Sequence, residues 1–235
     1  MISNRPSTEE IEELKKLTND VEGWMHEEEL ALLFCLAKKC KGKGVIVEIG
    51  SWKGKSTISL ALGSKRGNKV RVYSIDTHTG KPEYESVLLT LEEFKRNIRN
   101  ARVDDQLIPI VKSSEEAAKD FDEQIELIFI DGEHKYEFVK KDFELWFPKI
   151  VDGGIIALHD TTTWPGPKKV SEKYILKSKY FKNVKIVDSI MFAEKTNKIS
   201  IEDKLKNRII LILLYGEYET RRLLIKLNNR LKLRK

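Results

Sequence analysis

The chain is poor in cysteine, and the little it has is badly placed for chemistry. Its two cysteines, Cys35 and Cys40, share one apolar stretch, with no C-x-x-C pair and no Cys/His cluster. That excludes a zinc-ribbon type of site and a disulfide framework, and reads as two buried thiols in a reducing compartment. A secretory leader is missing as well: Met1 to Leu17 is acidic and polar, without a basic end and an apolar core. Long apolar runs are absent near the C-terminus, where Ile209–Tyr215 falls far short of the roughly 20 residues that cross a bilayer. These absences set the expectation of a cytoplasmic protein. No internal repeat or low-complexity segment interrupts the chain.

Charge of one sign is scarce until the end. The formal net charge is +6, but residues 201–235 hold ten Lys/Arg against four Asp/Glu, which accounts for the whole excess. The basic balance therefore describes a tail, and no nucleic acid is expected as a partner. With 40% hydrophobic and 34% charged residues over 235 positions, the composition suits one α/β domain with additions.

What is present is an alternation. Ser7 and Thr8 before Glu9, Glu10 and the spacing Ile11, Leu14, Leu17 predict a capped amphipathic helix. Glu27–Lys39 predicts a second, more buried helix, and residues 1–42 are taken as N-terminal helices. Apolar strand runs then follow at Val45–Ile49, Val70–Ile75, Leu107–Val111, Ile125–Ile130 and Gly154–Leu158, with helical patterns between them. Lys168–Lys177 predicts a crossover helix, and Val184–Val187 with Ile190–Ala193 a closing hairpin. The expected fold is α/β: a Rossmann-like, doubly wound, mostly parallel seven-stranded sheet with a C-terminal antiparallel hairpin, spanning residues 43–197. Residues 198–235 are expected to form a basic amphipathic helical tail.

The sharpest local signal is Val47-Glu48-Ile49-Gly50-Ser51-Trp52-Lys53-Gly54-Lys55-Ser56-Thr57, a buried strand entering a glycine turn and then a helix. A P-loop needs four residues between its glycines where this loop has three, and Glu48 would repel a triphosphate. A dinucleotide fingerprint needs glycine where Trp52 and Lys55 stand. A sulfonium nucleoside, S-adenosylmethionine, needs no pyrophosphate cradle, and an acid such as Glu48 would attract its cationic parts. The next strand ends at Asp76, 22 residues past Gly54, where an acid can accept ribose hydroxyls. A tight turn without a ligand is the remaining reading.

Two further strand ends are rich in titratable groups. Phe129-Ile130-Asp131-Gly132-Glu133-His134 and Ala157-Leu158-His159-Asp160-Thr161 would meet at the ligand edge if their strands are neighbours. Asp131 and Asp160 are candidate oxygen ligands for Mg²⁺, which could hold a substrate hydroxyl and lower its pKa. The competing reading makes them helix caps or solvent-facing acids. His134 and His159 are candidate general bases, with His78 a third and His26 a helix-start residue.

This order of motifs, closed by Gly153-Gly154 and His159-Asp160-Thr161, resembles class I S-adenosylmethionine-dependent methyltransferases. Within them it is similar to the cephalosporin-tailoring and sugar O-methyltransferase group, from about Gly23 to Ala193. The resemblance implies that Glu48, Gly50 and Gly54 line the methionine part of the cofactor and that Asp76 binds ribose, with Ser51 and Ser56 also expected among the cofactor-binding residues. It puts Ser113 or Ser114 near adenine. Asp131 falls beside the cofactor and, with His134 and His159, at the catalytic centre, while Asp131 and Asp160 match metal positions of metal-dependent relatives. Two departures stand out. Trp52 replaces the usual middle glycine, and His159-Asp160 stands where such relatives often carry two adjacent acids.

The implied function is methyl transfer to a hydroxyl of a small molecule or sugar, with or without a divalent metal. A non-catalytic nucleotide-binding module, or a partner-binding one using the tail, is the alternative. In the tail, Ile209, Ile210, Leu213 and Leu214 cluster, and Leu223, Leu224, Leu227 and Leu231 recur at helical spacing among Arg and Lys. A membrane-surface helix, a homo-oligomer arm or lid, and a helix packed on its own domain all fit that pattern.

Overall fold

A strand covered on both faces reads as an unbroken apolar run, and β1 (Val45–Ile49) and β4 (Ile125–Ile130) are buried along their whole length. The structure, a computed structural model, describes residues 6–79 and 87–214, with side chains for all of these except 87–89. β2 (Val72–Asp76), β3 (Leu107–Val111) and β5 (Ile150–Leu158) join β1 and β4 in parallel. β6 (Phe181–Val187) and β7 (Ile190–Lys195) close the sheet as an antiparallel hairpin, with β7 inserted against β5. The strand order is β3-β2-β1-β4-β5-β7-β6. It reverses between β1 and β4, which opens a ligand crevice at their carboxyl ends.

One face of the sheet is covered by α1 (Thr8–Thr18), α2 (Glu27–Lys38), α3 (Lys55–Arg66) and α4 (Val87–Asn100). α1 starts on a capping box in which Ser7 and Glu10 satisfy each other's backbone N–H groups. α2 is apolar on most sides because it lies between α1 and α3; Leu33, Phe34 and Ala37 have no exposed surface. The N-terminal helices thus share one core with Ile46, Leu60 and Phe129 of the central domain. The other face carries α5 (Ser114–Asp120), α6 (Tyr136–Trp146) and α7 (Pro165–Val170).

Two boundaries differ from those the sequence predicts. β5 begins at Ile150, because Gly153, at φ +82°, and Gly154 sit inside a bulge of the strand; the register jumps from Ile125↔Ile150 to Leu127↔Ile155. The crossover helix begins three residues early, at Pro165, and passes into a π-helical turn over Ser171–Leu176. A last helix, α8 (201–214), packs Ile210, Leu211 and Leu214 against the second core. The tail leucines beyond it, Leu223, Leu224, Leu227 and Leu231, lie outside the described residues, as does the loop after β2 from Gly80 to Ser86.

Candidate active site

The β1–α3 loop is shaped by its glycines, and chiefly for packing. Gly50 has φ +86°, and a Cβ there would lie 2.2 Å from the Asp131 carbonyl oxygen. Gly54 has φ +91°, and its missing side chain leaves room for Phe94 and Ile98 of α4. Both demand glycine, Gly54 because its Cβ position faces α4. Trp52 adopts φ +42° and stacks on Trp24 with ring centroids 4.6 Å apart. Lys53 is buried between Glu22 and Glu93, at 2.7 and 2.9 Å.

Asp76 holds this loop at the end of β2. Its Oδ2 accepts the N–H groups of Ser51 and Trp52 at 2.9 and 2.8 Å, and Oδ1 accepts that of His78 at 2.7 Å. A carboxylate offers about four acceptor positions. Three are taken, so Asp76 has room for one ribose hydroxyl where two were expected. Beside it, the buried Ser51 hydroxyl has no hydrogen-bond partner. A buried polar atom without a partner at the strand edge fits a polar group of a bound cofactor.

Glu48 does not reach that edge. It has no exposed surface. Ser56 donates to its Oε1 at 2.6 Å, while Thr57 and Ser74 donate to Oε2. Burial is the largest influence on its pKa and raises it, against these hydroxyl bonds, to about 7. The expected direct contact of Glu48 and Ser56 with the cofactor is therefore replaced by a buried tie between β1, β2 and the first turn of α3. Ser113 likewise caps α5, closing a capping box with Glu116, and Ser114 Oγ accepts the Trp146 indole N–H at 2.9 Å.

The ends of β4 and β5 do meet, as their neighbouring positions require. His159 Nδ1 lies 3.0 Å from Asp131 Oδ1 and 3.3 Å from Asp160 Oδ2. Its Nε2 lies 3.3 Å from Oε1 of Glu29, a 1% exposed residue of α2. Burial alone would discharge the ring, but hydrogen bonds to Asp131, Asp160 and Glu29 outweigh it and push its pKa up to about 12. Both ring nitrogens of His159, a candidate general base, thus face carboxylates inside the fold. Against the opposing effect of burial, His159, Ser189 and the His26 backbone N–H hold Glu29 down at about 2, and His134, His159 and Thr163 hold Asp160 well below the carboxylate range. Burial raises Asp131.

His134 occupies a different position. Its Nε2 is 2.9 Å from Asp160 Oδ2 but off hydrogen-bond alignment, so the nitrogen is near the carboxylate without being saturated by it. The ring stacks on Trp164, with centroids 4.8 Å apart. Thr163 donates to the other oxygen of Asp160. His78 is buried against Phe94, and burial lowers its pKa. His26 N-caps α2 and pairs with Asp188 at 2.5 Å.

Glu29 was missed by sequence reasoning. It is a carboxylate among the leucines of a buried helix, 130 residues from His159. Its acid on an apolar face was the available signal, and Ser189 Oγ, donating at 2.6 Å, completes its surroundings.

Asp131, His134 and Asp160 each bring one donor atom within 4.8 Å of the others. The set does not fit Mg²⁺, which takes oxygen ligands in near-octahedral geometry. One of its donors is an imidazole nitrogen, and Asp131 Oδ1 and Asp160 Oδ2 already lie against His159 Nδ1, at 3.0 and 3.3 Å.

Residues 47–161 match the model of a methyltransferase-domain family. The uncharacterized protein y4gI of Sinorhizobium fredii is 29% identical over 126 residues, 49% of this chain; the chain spans 13% of that relative's length. The SAH-bound methyltransferase of Podospora anserina superposes with a TM-score of 0.61 at 14% identity, covering 83% of this chain and 91% of that one. The O-methyltransferase NovP does so with a TM-score of 0.62 at 20% identity, over 78% and 88%. Strand order, glycine loop, acidic strand ends and family match agree: residues 47–161 are similar to a methyltransferase domain, and the fold is that of the methyltransferases of known structure named above.

Proposed function

We propose that this chain transfers the methyl group of S-adenosylmethionine to a hydroxyl oxygen of a small molecule or sugar. The observation that carries this reading is the His134–Asp160 pair, standing at the ends of β4 and β5 on the same sheet edge as Asp76 and the unpartnered Ser51 hydroxyl. The cofactor supplies a methyl carbon on a positively charged sulfur. Asp76 would accept one ribose hydroxyl, and Ser51 would bond a polar group of the same ligand. His134, whose Nε2 lies 2.9 Å from Asp160, would take the acceptor's proton on its other ring nitrogen. Bound there, the cofactor would give its methyl carbon to the acceptor oxygen and would itself be left as the neutral thioether. Asp160 stabilises the imidazolium so formed, and Trp164 holds the ring plane. His159 keeps Asp131 and Asp160 together without a metal.

The test is calorimetry with S-adenosylhomocysteine, followed by a methyl-transfer screen of hydroxylated sugars and phenols. We expect His134→Ala to lower the rate by about 10²–10⁴-fold, the usual worth of a positioned base, with cofactor binding unchanged. A chain that does not bind the thioether rules out the cofactor reading. Binding with no transfer to any acceptor, and with no effect of His134→Ala, favours the non-catalytic module instead.

A further inference from the structure

Helix α8 has two apolar sides, and the domain uses one. Asn207, Ile210, Leu211 and Leu214 face inward: Asn207 is 1% exposed and its side-chain amide donates to the Phe181 carbonyl at 3.0 Å, while the three apolar residues join the second core. Ile201, Leu205, Ile209, Ile212 and Leu213 are 79, 54, 57, 68 and 63% exposed. At about 100° per residue these five span about 120° on the side opposite the docked face. Five large apolar side chains in one stripe exceed the scattered exposure normal for a surface.

The charges around the stripe indicate what covers it. On the same wheel Lys204 and Arg208 fall along one border and Lys206 along the other. Glu202 falls within the arc of the stripe and is paired with Lys206 at 2.6 Å, which leaves Lys204 and Arg208 as the basic border. α8 itself carries three basic against two acidic residues, and the sequence that follows it adds seven basic against two acidic ones. Two copies meeting on this face would bring like charges together. An anionic surface would not, and a basic border lets lysine and arginine reach headgroups while the apolar stripe enters the acyl boundary. No helix among the described residues is long and apolar enough to cross a membrane, so the fitting arrangement is a helix lying in the interface. We propose that the outer face of α8 is a docking surface for an anionic lipid bilayer, anchored by this stripe.

Co-sedimentation of the full chain with sucrose-loaded vesicles tests this, comparing phosphatidylcholine alone with phosphatidylcholine plus phosphatidylglycerol. We expect binding to the anionic vesicles to be at least about tenfold tighter, and to weaken as salt screens the basic border. Leu205→Glu combined with Ile209→Glu should abolish most of that binding. Both positions are exposed, so the melting temperature measured alongside should stay near wild type. Equal partition into both vesicle types, no partition at all, or binding undiminished in the double variant would overturn the proposal. So would sedimentation of the wild type as a dimer that the double variant dissociates, with no vesicle binding, since a second copy would then cover the stripe.

Discussion

Replacing Glu48 by glutamine should flatten the pH dependence of stability without unfolding the protein. The Glu48 carboxyl has no exposed surface and accepts from Ser56, Thr57 and Ser74. Burial lifts its pKa from 4.5 to about 7. The folded chain therefore binds that proton more tightly than the unfolded chain, by about 3 kcal/mol. Because the folded pKa is the raised one, the stabilisation is complete below about pH 4.5 and is lost as pH rises to 7 and beyond. The group is fully buried, so solvent screening removes little of it. The Glu48→Gln variant would keep the shape and an acceptor oxygen but bind no proton. Urea unfolding of both proteins at about pH 5 and about pH 8 isolates the effect, since every other titrating group cancels in the difference. Between those two pH values the variant should gain about 2.5 kcal/mol relative to wild type. A difference that stays constant with pH would refute the reasoning and mean that Glu48 is ionised throughout.

Gly50→Ala should cost about 3 kcal/mol or more, because a Cβ at φ +86° would sit 2.2 Å from the Asp131 carbonyl oxygen; thermal unfolding measures it, and a near-wild-type melting point would contradict the loop geometry. His159→Ala removes the cation shared by Glu29, Asp131 and Asp160, and should destabilise by about 3–5 kcal/mol. Unchanged urea stability in that variant would show that the three carboxylates are neutralised in some other way. Methyl transfer should survive EDTA, since His159 occupies the carboxylate oxygens that Mg²⁺ would need; a rate lost in chelator and restored by Mg²⁺ would reverse that conclusion. Asp76→Asn should weaken S-adenosylhomocysteine binding by about tenfold, the worth of one charged hydrogen bond, and equal affinity by calorimetry would move the ribose elsewhere.

Much of this architecture was legible in the amino-acid order because it rests on local periodicity. Unbroken apolar runs such as Val45–Ile49 and Ile125–Ile130 mark strands covered on both faces. Gly50 and Gly54 mark a turn that only glycine tolerates, and acids just past strands β2, β4 and β5 must stand near one sheet edge once those strands are parallel. What those acids do was settled by neighbours distant in the chain. Glu48 looked like a ligand contact because it precedes the glycine loop, yet Ser74, from a different strand, and the first turn of α3 enclose it. His159 looked like a base, but Asp131 and Asp160, with Glu29 arriving on a helix 130 residues earlier, favour its charged form. A side chain's charge depends on the burial and partners that tertiary packing brings to it, and no local pattern encodes either. The apolar stripe of α8 shows the same division: helical spacing revealed its amphipathic character, and only the docking of Asn207 and its neighbours decided which side was left facing outward.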